Sequence, residues 1–413
     1  MADKIQTVRG MRDFLPEDQI LRNEMFNKIS KVLERFGFAP WEGPALEYAE
    51  VLQKKSVEKK QIYSFTDQGG RLLVMRPEKT PSLARILATY PIAKPAKLYN
   101  IGRSWRYDRP QKGRFREFWQ VDLDIIGSTS PLADAELIAA ASSVVKELNI
   151  DFKIRINSRA LMNEFLKDCG VADQNRGAVL RIVDKIDDIG ADGVKRELLQ
   201  AKVSEQSVRD ILSLLKLKGS WANIKKTIKV CKETENSVTD FLKYLEQFGI
   251  KNYVFDLSLV RGLDYYTGLV FEIDAGEGLG SVAGGGRYDE LIGAYTGQKM
   301  PATGIALGFE RLYEIVKAKS KLKKTSTKVF VVPIGDVDVL QIVKTLRDSN
   351  INSDFDIIGR GISKNLEFAS KQEIPYVIFV GKEELKKKKL KLKDMKTGKE
   401  QMLALKDLIK KLL

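Results

Sequence analysis

Arginine, carboxylate, tyrosine and glycine residues concentrate in four parts of this sequence, more densely than a packed core requires. They are 76–80, 106–124, 261–268, and 283–289 together with 304–311. Guanidinium groups are planar, permanently charged and able to grip phosphate oxygens with two hydrogen bonds. A glycine-rich strand lets a ligand approach the backbone closely. Together these segments predict a site for a triphosphate.

The segment 106–124 also predicts a pocket for a polar ligand. Side chains alternate between the two faces of a strand, so Gln120, Asp122 and Asp124 share one face after Phe118. The sequence has no G-x-x-x-x-G-K-[ST] motif, and the glycines at 284–286 lack the G-x-G-x-x-G spacing. A P-loop and a dinucleotide-binding turn are therefore not expected.

Composition limits the chemistry further. The chain has 413 residues, which predicts two to three domains, and its net charge of +15 favours a polyanionic partner. It contains no histidine, so catalysis by a Ser-His or Cys-His pair is excluded. Cys169 and Cys231 are isolated, which predicts buried thiols in a reducing compartment and no structural zinc site.

The sequence also lacks the patterns of a membrane or secreted protein. Residues 1–10 lack the apolar core of a signal peptide, and no apolar run approaches the roughly 20 residues that span a bilayer. We therefore expect a cytoplasmic protein without a membrane partner.

Hydrophobic periodicity places these segments on a mixed framework. Residues 18–36 have helical spacing, and Ser130-Pro131 predicts the start of a helix to about Leu148. Short strand-like runs between turn residues predict an antiparallel sheet. These runs are 62–65, 71–75, 97–105, 117–126, 253–260 and 269–273.

The rest of the chain divides by composition. Residues 171–233 are polar and lysine-rich and predict a helical insertion, and 316–328 are too hydrophilic to join a core, which is typical of a linker. Strand and helix patterns then alternate from 329 to 380, predicting a small α/β domain with a largely parallel sheet. Lys386–Lys389, with Lys391 and Lys393, fit either a solvated edge strand or loop or a contact with a nucleic acid.

At these motifs the sequence resembles the histidyl-tRNA synthetase family along nearly its whole length. Gly43-Pro44 falls where class II motif 1 has its dimer-interface proline, 106–118 resembles motif 2, and 308–311 resembles motif 3. The segments 261–266 and 285–289 resemble the two patterns peculiar to the histidine enzymes.

The resemblance implies an α+β fold with a central antiparallel sheet, the class II synthetase fold, over residues 1–325. Within it lies a helical insertion at about 171–233. A linker at 316–328 and an α/β anticodon-binding domain at 329–413 complete the expected plan. Histidine, ATP, Mg²⁺ and tRNA are the expected ligands, and the expected assembly is a homodimer.

The resemblance also assigns expected roles to individual residues. Catalysis would fall to Arg106 and Arg261, both on the α-phosphate. The residues expected to bind ATP are Arg106, Asp108, Arg114, Phe118 and Arg311, with Phe118 on the adenine and Arg311 on the γ-phosphate. The residues expected to bind histidine are Glu78, Thr80, Gln120, Asp124, Arg261, Tyr265, Tyr266 and Tyr288. Arg109 and Gln111 would face the acceptor end of tRNA.

The sequence departs from the family pattern at a few positions. Asp108 stands where motif 2 usually has Glu, so its contact would be longer or water-mediated. Phe115 and Trp119 replace the histidine or tyrosine of some relatives, and Asp124 replaces the Glu of others.

Three alternatives remain beside a histidine–tRNA ligase. One is a non-catalytic paralogue that binds histidine as a regulatory subunit, although such relatives usually lack the anticodon-binding domain. The others are a class II synthetase for threonine, proline or glycine, and a protein that only binds RNA.

Overall fold

The computed structural model describes residues 5–53, 61–111, 113–261, 265–276 and 280–413. The chain divides into two compact units. The larger unit contains Met25–Lys319 and the described residues before Phe14, and the smaller unit contains Phe14–Glu24 and Ser320–Leu413.

Secondary structure up to Lys319 mixes short and long elements. The strands are β1 (Ala39–Pro40), β2 (Leu46–Tyr48), β3 (Ser64–Thr66), β4 (Leu72–Met75), β5 (Ala96–Trp105), β6 (Glu117–Ile126), β7 (Lys153–Ser158), β8 (Lys218–Gly219), β9 (Tyr253–Asp256), β10 (Leu269–Asp274), β11 (Ser281–Arg287) and β12 (Ala302–Gly308). The helices are α1 (Pro16–Arg35), α2 (Ala49–Gln53), α3 (Thr80–Thr89), α4 (Pro131–Glu147), α5 (Arg159–Asp168), α6 (Asp173–Val183), α7 (Ile186–Gln200), α8 (Glu205–Leu214), α9 (Trp221–Thr227), α10 (Lys232–Gln247), α11 (Gly293–Thr296) and α12 (Phe309–Lys319).

The larger unit is built on one long sheet. In the described part of the chain, nine strands pair in the order β1-β5-β6-β12-β11-β10-β7-β9-β8. The run from β5 to β7 is antiparallel throughout, and only β1–β5 and β7–β9 are parallel. The prediction of a central antiparallel sheet is confirmed.

Two of the predicted strands belong to another sheet. The runs at 62–65 and 71–75 form β3 and β4, which pair with β2 in a separate antiparallel sheet in the order β2-β4-β3. These strands are three and four residues long, and they pair with each other instead of with a strand of the long sheet.

Local sequence signals explain where the helix beside the sheet begins. Ser130 has extended backbone geometry, its hydroxyl accepts a hydrogen bond from the Leu132 amide at 3.2 Å, and Pro131 occupies the first turn of α4. This N-cap fixes the start of α4 as predicted. Within the range 171–233 lie α6 to α9 and the beginning of α10, which continues to Gln247 and packs against α4.

The smaller unit has its own core. Its elements are β13 (Val329–Ile334), α13 (Leu340–Asp348), β14 (Ser353–Phe355), α14 (Ile362–Lys371), β15 (Tyr376–Gly381), α15 (Lys382–Lys386), β16 (Leu390–Asp394), β17 (Glu400–Leu403) and α16 (Leu405–Leu412). Apolar residues of β13 and β15 pack beneath α13 and α16 on one face of the sheet. Ala369 of α14 is buried on the other face.

The sheet of the smaller unit is only half parallel, so the prediction of a largely parallel sheet was wrong. Its order is β14-β13-β15-β16-β17, with β14, β13 and β15 parallel and the last two pairings antiparallel. Only residues 382–389 separate β15 from β16, too few for the crossover that a parallel pair needs. Because β16 lies inside the sheet, Lys391 and Lys393 are not on an edge strand.

None of the helices in the described residues combines the length and apolar character needed to cross a membrane.

Candidate active site

A cavity of about 880 Å³ opens above the middle of the long sheet and gathers most of the predicted site residues. Strand β6 forms its floor, where the alternation of side chains presents Gln120, Asp122 and Asp124 to the cavity. The predicted residues that line it are Glu78, Thr80, Arg106, Asp108, Arg114, Phe118, Gln120, Asp124, Arg261, Tyr265, Tyr266, Tyr288 and Arg311. Arg109 and Gln111 do not line it and are exposed.

One end of the cavity is acidic and centred on Asp124. This carboxylate is 4% exposed and accepts a hydrogen bond from the Tyr288 hydroxyl. Burial raises the pKa of Asp124 to about 7, although the Tyr288 hydrogen bond opposes the rise. Imidazole also changes charge in this pH range. A carboxyl group with this pKa is therefore suited to accept a hydrogen bond from an imidazole N–H group.

Three tyrosines form the wall beside Asp124. The ring centroids of Tyr265 and Tyr266 are 4.8 Å apart, and those of Tyr265 and Tyr288 are 5.8 Å apart in an edge-on arrangement. All three rings belong to a buried cluster with Leu83 of α3 and Val270 of β10. Burial raises the pKa of each hydroxyl, so the wall offers neutral hydrogen-bonding groups.

Two unused acceptors point to a missing cationic or N–H donor. Among the described atoms, Glu78 Oε1 and Gln120 Oε1 are buried and have no hydrogen-bond partner. Burial also raises the pKa of Glu78, and the Arg106 charge opposes the rise. Buried acceptors without partners cost free energy, about 1–3 kcal/mol each, until a ligand donates to them. An ammonium group placed between them would satisfy both.

The cavity also carries a cluster of guanidinium groups. The Arg106 Nε donates to the Pro77 carbonyl at 2.9 Å, and Arg311 donates to the Ser281 carbonyl. Burial and the neighbouring charges of Arg114 and Arg261 lower the pKa of Arg311. Like charges gathered in a partly buried space repel one another, and a bound polyanion relieves that repulsion.

Asp108 has a direct partner within the protein. Its Oδ2 accepts from Arg114 Nε at 3.0 Å and lies 2.9 Å from an Arg114 Nη nitrogen. This contact orients the exposed Arg114 side chain along the cavity. Whether Asp108 itself reaches a nucleotide stays a prediction.

Arg261 lies between β9 and β10 in an unusual backbone conformation. Its φ is +52°, in the left-handed region that side chains rarely adopt, and such geometry costs on the order of 1–3 kcal/mol. Its guanidinium donates to Glu272 Oε1 at 2.7 Å. Burial lowers the pKa of Arg261, but Tyr266 and Glu272 raise it by more, so the group stays charged. The next residues of this motif, 262–264, lie outside the described residues.

Two glycines make room for the protein's own side chains. A Cβ atom at Gly284 would overlap the Arg261 guanidinium, and one at Gly304 would overlap the Asp124 carboxylate and lie 3.0 Å from the Tyr288 ring. The sequence predicted that the glycine-rich strand admits a substrate to the backbone. At these two positions it instead admits the residues that line the cavity.

Two arginines from the same sequence clusters are structural. Arg76 is buried, contacts Glu42 at 2.8 Å and donates to the Gly43 carbonyl at 2.7 Å. Arg287 is buried against Asp134. Their types and positions resemble those of the cavity arginines, so sequence alone did not separate them.

Among the charged residues of the cavity, Glu272, Arg181 and Asp184 were missed. Glu272 interrupts the apolar run of residues 269–273 in β10, a signal that the sequence offered. Arg181 and Asp184 reach the cavity from the end of α6, inside the predicted insertion. Nothing in their local pattern distinguishes them from a solvated helix face.

Comparison with known proteins decides the family. The sequence profile described as "Histidyl-tRNA synthetase" matches residues 10–312, and the one described as "Anticodon binding domain" matches residues 328–413. The chain belongs to the histidyl-tRNA synthetase family. The non-catalytic alternative is not favoured, because both profiles and the full-length relatives agree with the histidine enzymes.

Relatives of this family cover nearly the whole chain. It is 37% identical to "Histidine--tRNA ligase" of Pyrococcus horikoshii, over 98% of both chains. It is 38% identical to the protein of that name from Clostridium tetani, over 97% of this chain and 96% of that one. The crystal structure of histidyl-tRNA synthetase from Nostoc sp. PCC 7120 superimposes with a TM-score of 0.86 at 28% identity, covering 98% of each chain.

Proposed function

We propose that this protein is an ATP-dependent ligase that joins histidine to its tRNA. The observation that carries the proposal is one cavity that is lined both by a cluster of arginines and by the buried Asp124. The relatives named histidine–tRNA ligase support the same activity along the full chain.

The first step would be formation of histidyl-adenylate. A carboxylate oxygen of histidine attacks the α-phosphorus of ATP, the bond to the bridging oxygen breaks, and pyrophosphate leaves with that electron pair. We assign Arg106 and Arg261 to the α-phosphate, where negative charge builds up in the transition state, and Arg311 to the γ-phosphate. Phe118 would stack on adenine, with Arg114, held by Asp108, near the phosphates.

The second step, transfer to tRNA, does not require a histidine side chain of the protein as a general base. A ribose hydroxyl at the 3′ end of tRNA attacks the acyl carbon of the adenylate, the bond from that carbon to the phosphate oxygen breaks, and AMP leaves, with the hydroxyl proton passing to a phosphate oxygen of the departing AMP. Arg109 and Gln111 are exposed on the loop before β6, and we assign them to the tRNA acceptor end. Exposed polar groups beside an active-site mouth are suited to a macromolecular substrate.

Histidine would be read by buried polar groups. Glu78, Gln120 and Thr80 would accept from its ammonium group, and the unpartnered oxygens of the first two support this assignment. Asp124 and Tyr266 would pair with the imidazole nitrogens, while Tyr265 and Tyr288 close the socket. An apolar side chain of similar size would leave these groups without partners, a strong basis for discrimination.

Magnesium would enter with the nucleotide. In the described part of the chain, no group of three or more acidic or cysteine side chains is arranged to hold a metal ion. Mg²⁺ commonly keeps several waters and binds through substrate phosphates and one or two carboxylates. When bound, it would neutralise phosphate charge alongside the arginines.

The proposed domain plan follows the sequence prediction. Residues 1–325 would form the catalytic domain with its insertion at about 171–233, 316–328 the linker, and 329–413 the anticodon-binding domain. The second profile match, at 328–413, supports the last assignment. We place the activity in the cytoplasm, because the named relatives are translation enzymes.

We also propose that the chain works as a homodimer. The small sheet that follows Pro44 presents Tyr48, Leu73 and Phe65 in register across its three strands. Tyr48 and Phe65 are 45% and 46% exposed, and such an apolar face is suited to burial against a second copy. Sedimentation tests this assembly: the parent protein should sediment as a dimer and the Phe65→Asp variant as a monomer.

The decisive experiment is ATP–pyrophosphate exchange with each amino acid in turn, for the parent and for Asp124→Ala. We expect exchange with histidine alone. The variant should lose histidine activation by a factor of at least about 100, the order seen when one buried specific partner is removed, with ATP affinity nearly unchanged. Equal losses of histidine activation and ATP binding would refute the role of Asp124.

A further inference from the structure

Lys79, at the start of α3, is a buried cation in an unfavourable place. It is 1% exposed and occupies the N-cap position of the helix, where the helix dipole disfavours positive charge. Burial lowers the pKa of Lys79, while the nearby Asp122 raises it. A buried lysine in this position needs a strong partner to stay charged.

That partner lies in the floor of the active-site cavity. Lys79 Nζ lies 2.5 Å from the Asp122 carboxylate and 3.2 Å from the Gln120 carbonyl, both on β6. Lys79 does not line the cavity, whereas its neighbours Glu78 and Thr80 and its partner Asp122 do. The ammonium group therefore joins the two segments that carry the proposed histidine-binding residues.

The pair also controls charge at the acidic end of the cavity. Glu78, Asp122 and Asp124 place three carboxyl groups there. After burial and the Tyr288 hydrogen bond, the charge of Asp122 raises the pKa of Asp124 and the charge of Lys79 lowers it. Tyr266 also faces Asp124.

Other charges surround the pair from neighbouring segments. Arg76 and Glu42 act on Lys79, with opposite effects on its pKa. On the cavity side, Glu78 is subject to the charges of Arg106 and Asp122 and to a hydrogen bond from Tyr265. Among these groups, Lys79 is the cation in direct contact with Asp122.

We propose that Lys79 is a positioning residue that cancels the charge of Asp122 and so keeps a larger fraction of Asp124 ionised to accept from the histidine side chain near neutral pH. Without Lys79, the uncompensated Asp122 would favour the protonated, uncharged form of Asp124. The inference rests on the proposed histidine pocket and adds to it the group that sets its charge.

The test is the pH dependence of kcat/KM for histidine in ATP–pyrophosphate exchange, from about pH 5.5 to about pH 9. The variants are Lys79→Met, Asp122→Asn and the double variant. Because kcat/KM reports groups of the free enzyme and free substrate, loss of activity at low pH follows protonation of Asp124. The titration of histidine itself is the same in every variant and cancels in the comparison.

We expect the acid limb of the profile to move to higher pH in Lys79→Met and to lower pH in Asp122→Asn, by about half a pH unit or more. In the double variant, where both charges are gone, the limb should return near its parental position. A purely structural role would reduce activity in all three variants without moving the limb, and that result would overturn the inference.

Matched controls keep the outcome interpretable. Lys97→Met removes another lysine ion pair, with Glu136, that does not line the cavity, and should leave the limb in place. If Lys79→Met does not fold, the two other variants still test the inference, because the limb should move to lower pH in Asp122→Asn and stay near its parental position in the double variant. If Asp124→Ala loses histidine activation but the limb does not move in the Lys79 and Asp122 variants, only the role of Lys79 is refuted. Retained activation in Asp124→Ala would refute the histidine pocket itself.

Discussion

Replacing Gly284 with alanine should disable Arg261 without unfolding the protein. A Cβ atom at residue 284 would lie 2.8 Å from one Nη nitrogen of Arg261 and closer still to the other Nη nitrogen and to Cζ. An ordinary contact needs at least about 3.4 Å, so the group must move. It is the far end of a flexible side chain, and it can leave without disturbing the backbone of β11.

The cost should appear in catalysis. Displacement breaks the 2.7 Å contact between Arg261 and Glu272 and carries the guanidinium away from its place in the cavity. A misplacement of about 1 Å in a catalytic group can cost on the order of 100-fold in rate. Complete loss of one charge-stabilising donor costs about 2.7–4 kcal/mol, or 100-fold to 1,000-fold. We therefore expect Gly284→Ala to lower kcat for adenylate formation by about 100-fold.

Single-turnover formation of histidyl-adenylate, with Tm measured on the same samples, tests this prediction. Gly361→Ala is the control, because a Cβ there meets nothing within 4 Å. Arg261→Ala should show a similar loss, and the double variant should be little slower than either single one. Parental kcat in Gly284→Ala, or losses that multiply in the double variant, would refute the reasoning.

Two further predictions concern packing around the cavity. Arg287→Met leaves the buried Asp134 without its partner and should lower the free energy of unfolding by about 3–5 kcal/mol, measured in denaturant; a change below about 1 kcal/mol would contradict this. Gly304→Ala would force apart Asp124 and the Tyr288 ring and should raise KM for histidine by about tenfold, since overpacking typically costs 1–3 kcal/mol. Its KM for ATP should stay near the parental value, and a parallel rise in both constants would argue against separate ends of the cavity.

Much of the fold could be predicted because its signals are local. Ser130-Pro131 is a complete N-cap and gave the correct start of α4. The alternation after Phe118 gave the cavity-facing side of β6. The pairing of strands was harder to predict, since nothing in β3 and β4 shows that they form a separate sheet with β2, in which β4 is the central strand. Which strands pair depends on contacts between residues that are far apart in the sequence, and the hydrophobic periodicity of a single strand does not specify those contacts.

The candidate site could be predicted where residue type limits the possible partners. Asp124 is an acidic residue between the apolar residues Leu123 and Ile125 of β6. A buried carboxyl group in such a place needs a ligand or a partner side chain to interact with it. Arg181 and Asp184 carry no comparable signal, because they reach the cavity only through the packing of α6. Lys79 belongs to the charged cluster at 76–80, but the sequence does not show its partner. The contact with Asp122 depends on how α3 packs against β6.

The arrangement of the arginines explains how binding energy could be directed to the reacting phosphate. Burial lowers the pKa of Arg311, and the neighbouring charges of Arg114 and Arg261 lower it further, because like charges held close together repel one another. Arg261 adds a strained backbone, held by its contact with Glu272. On the proposed assignment, a bound triphosphate would relieve the repulsion, and most strongly where its negative charge increases during the reaction. The arginines would then stabilise the transition state with little reorganisation at the moment of reaction.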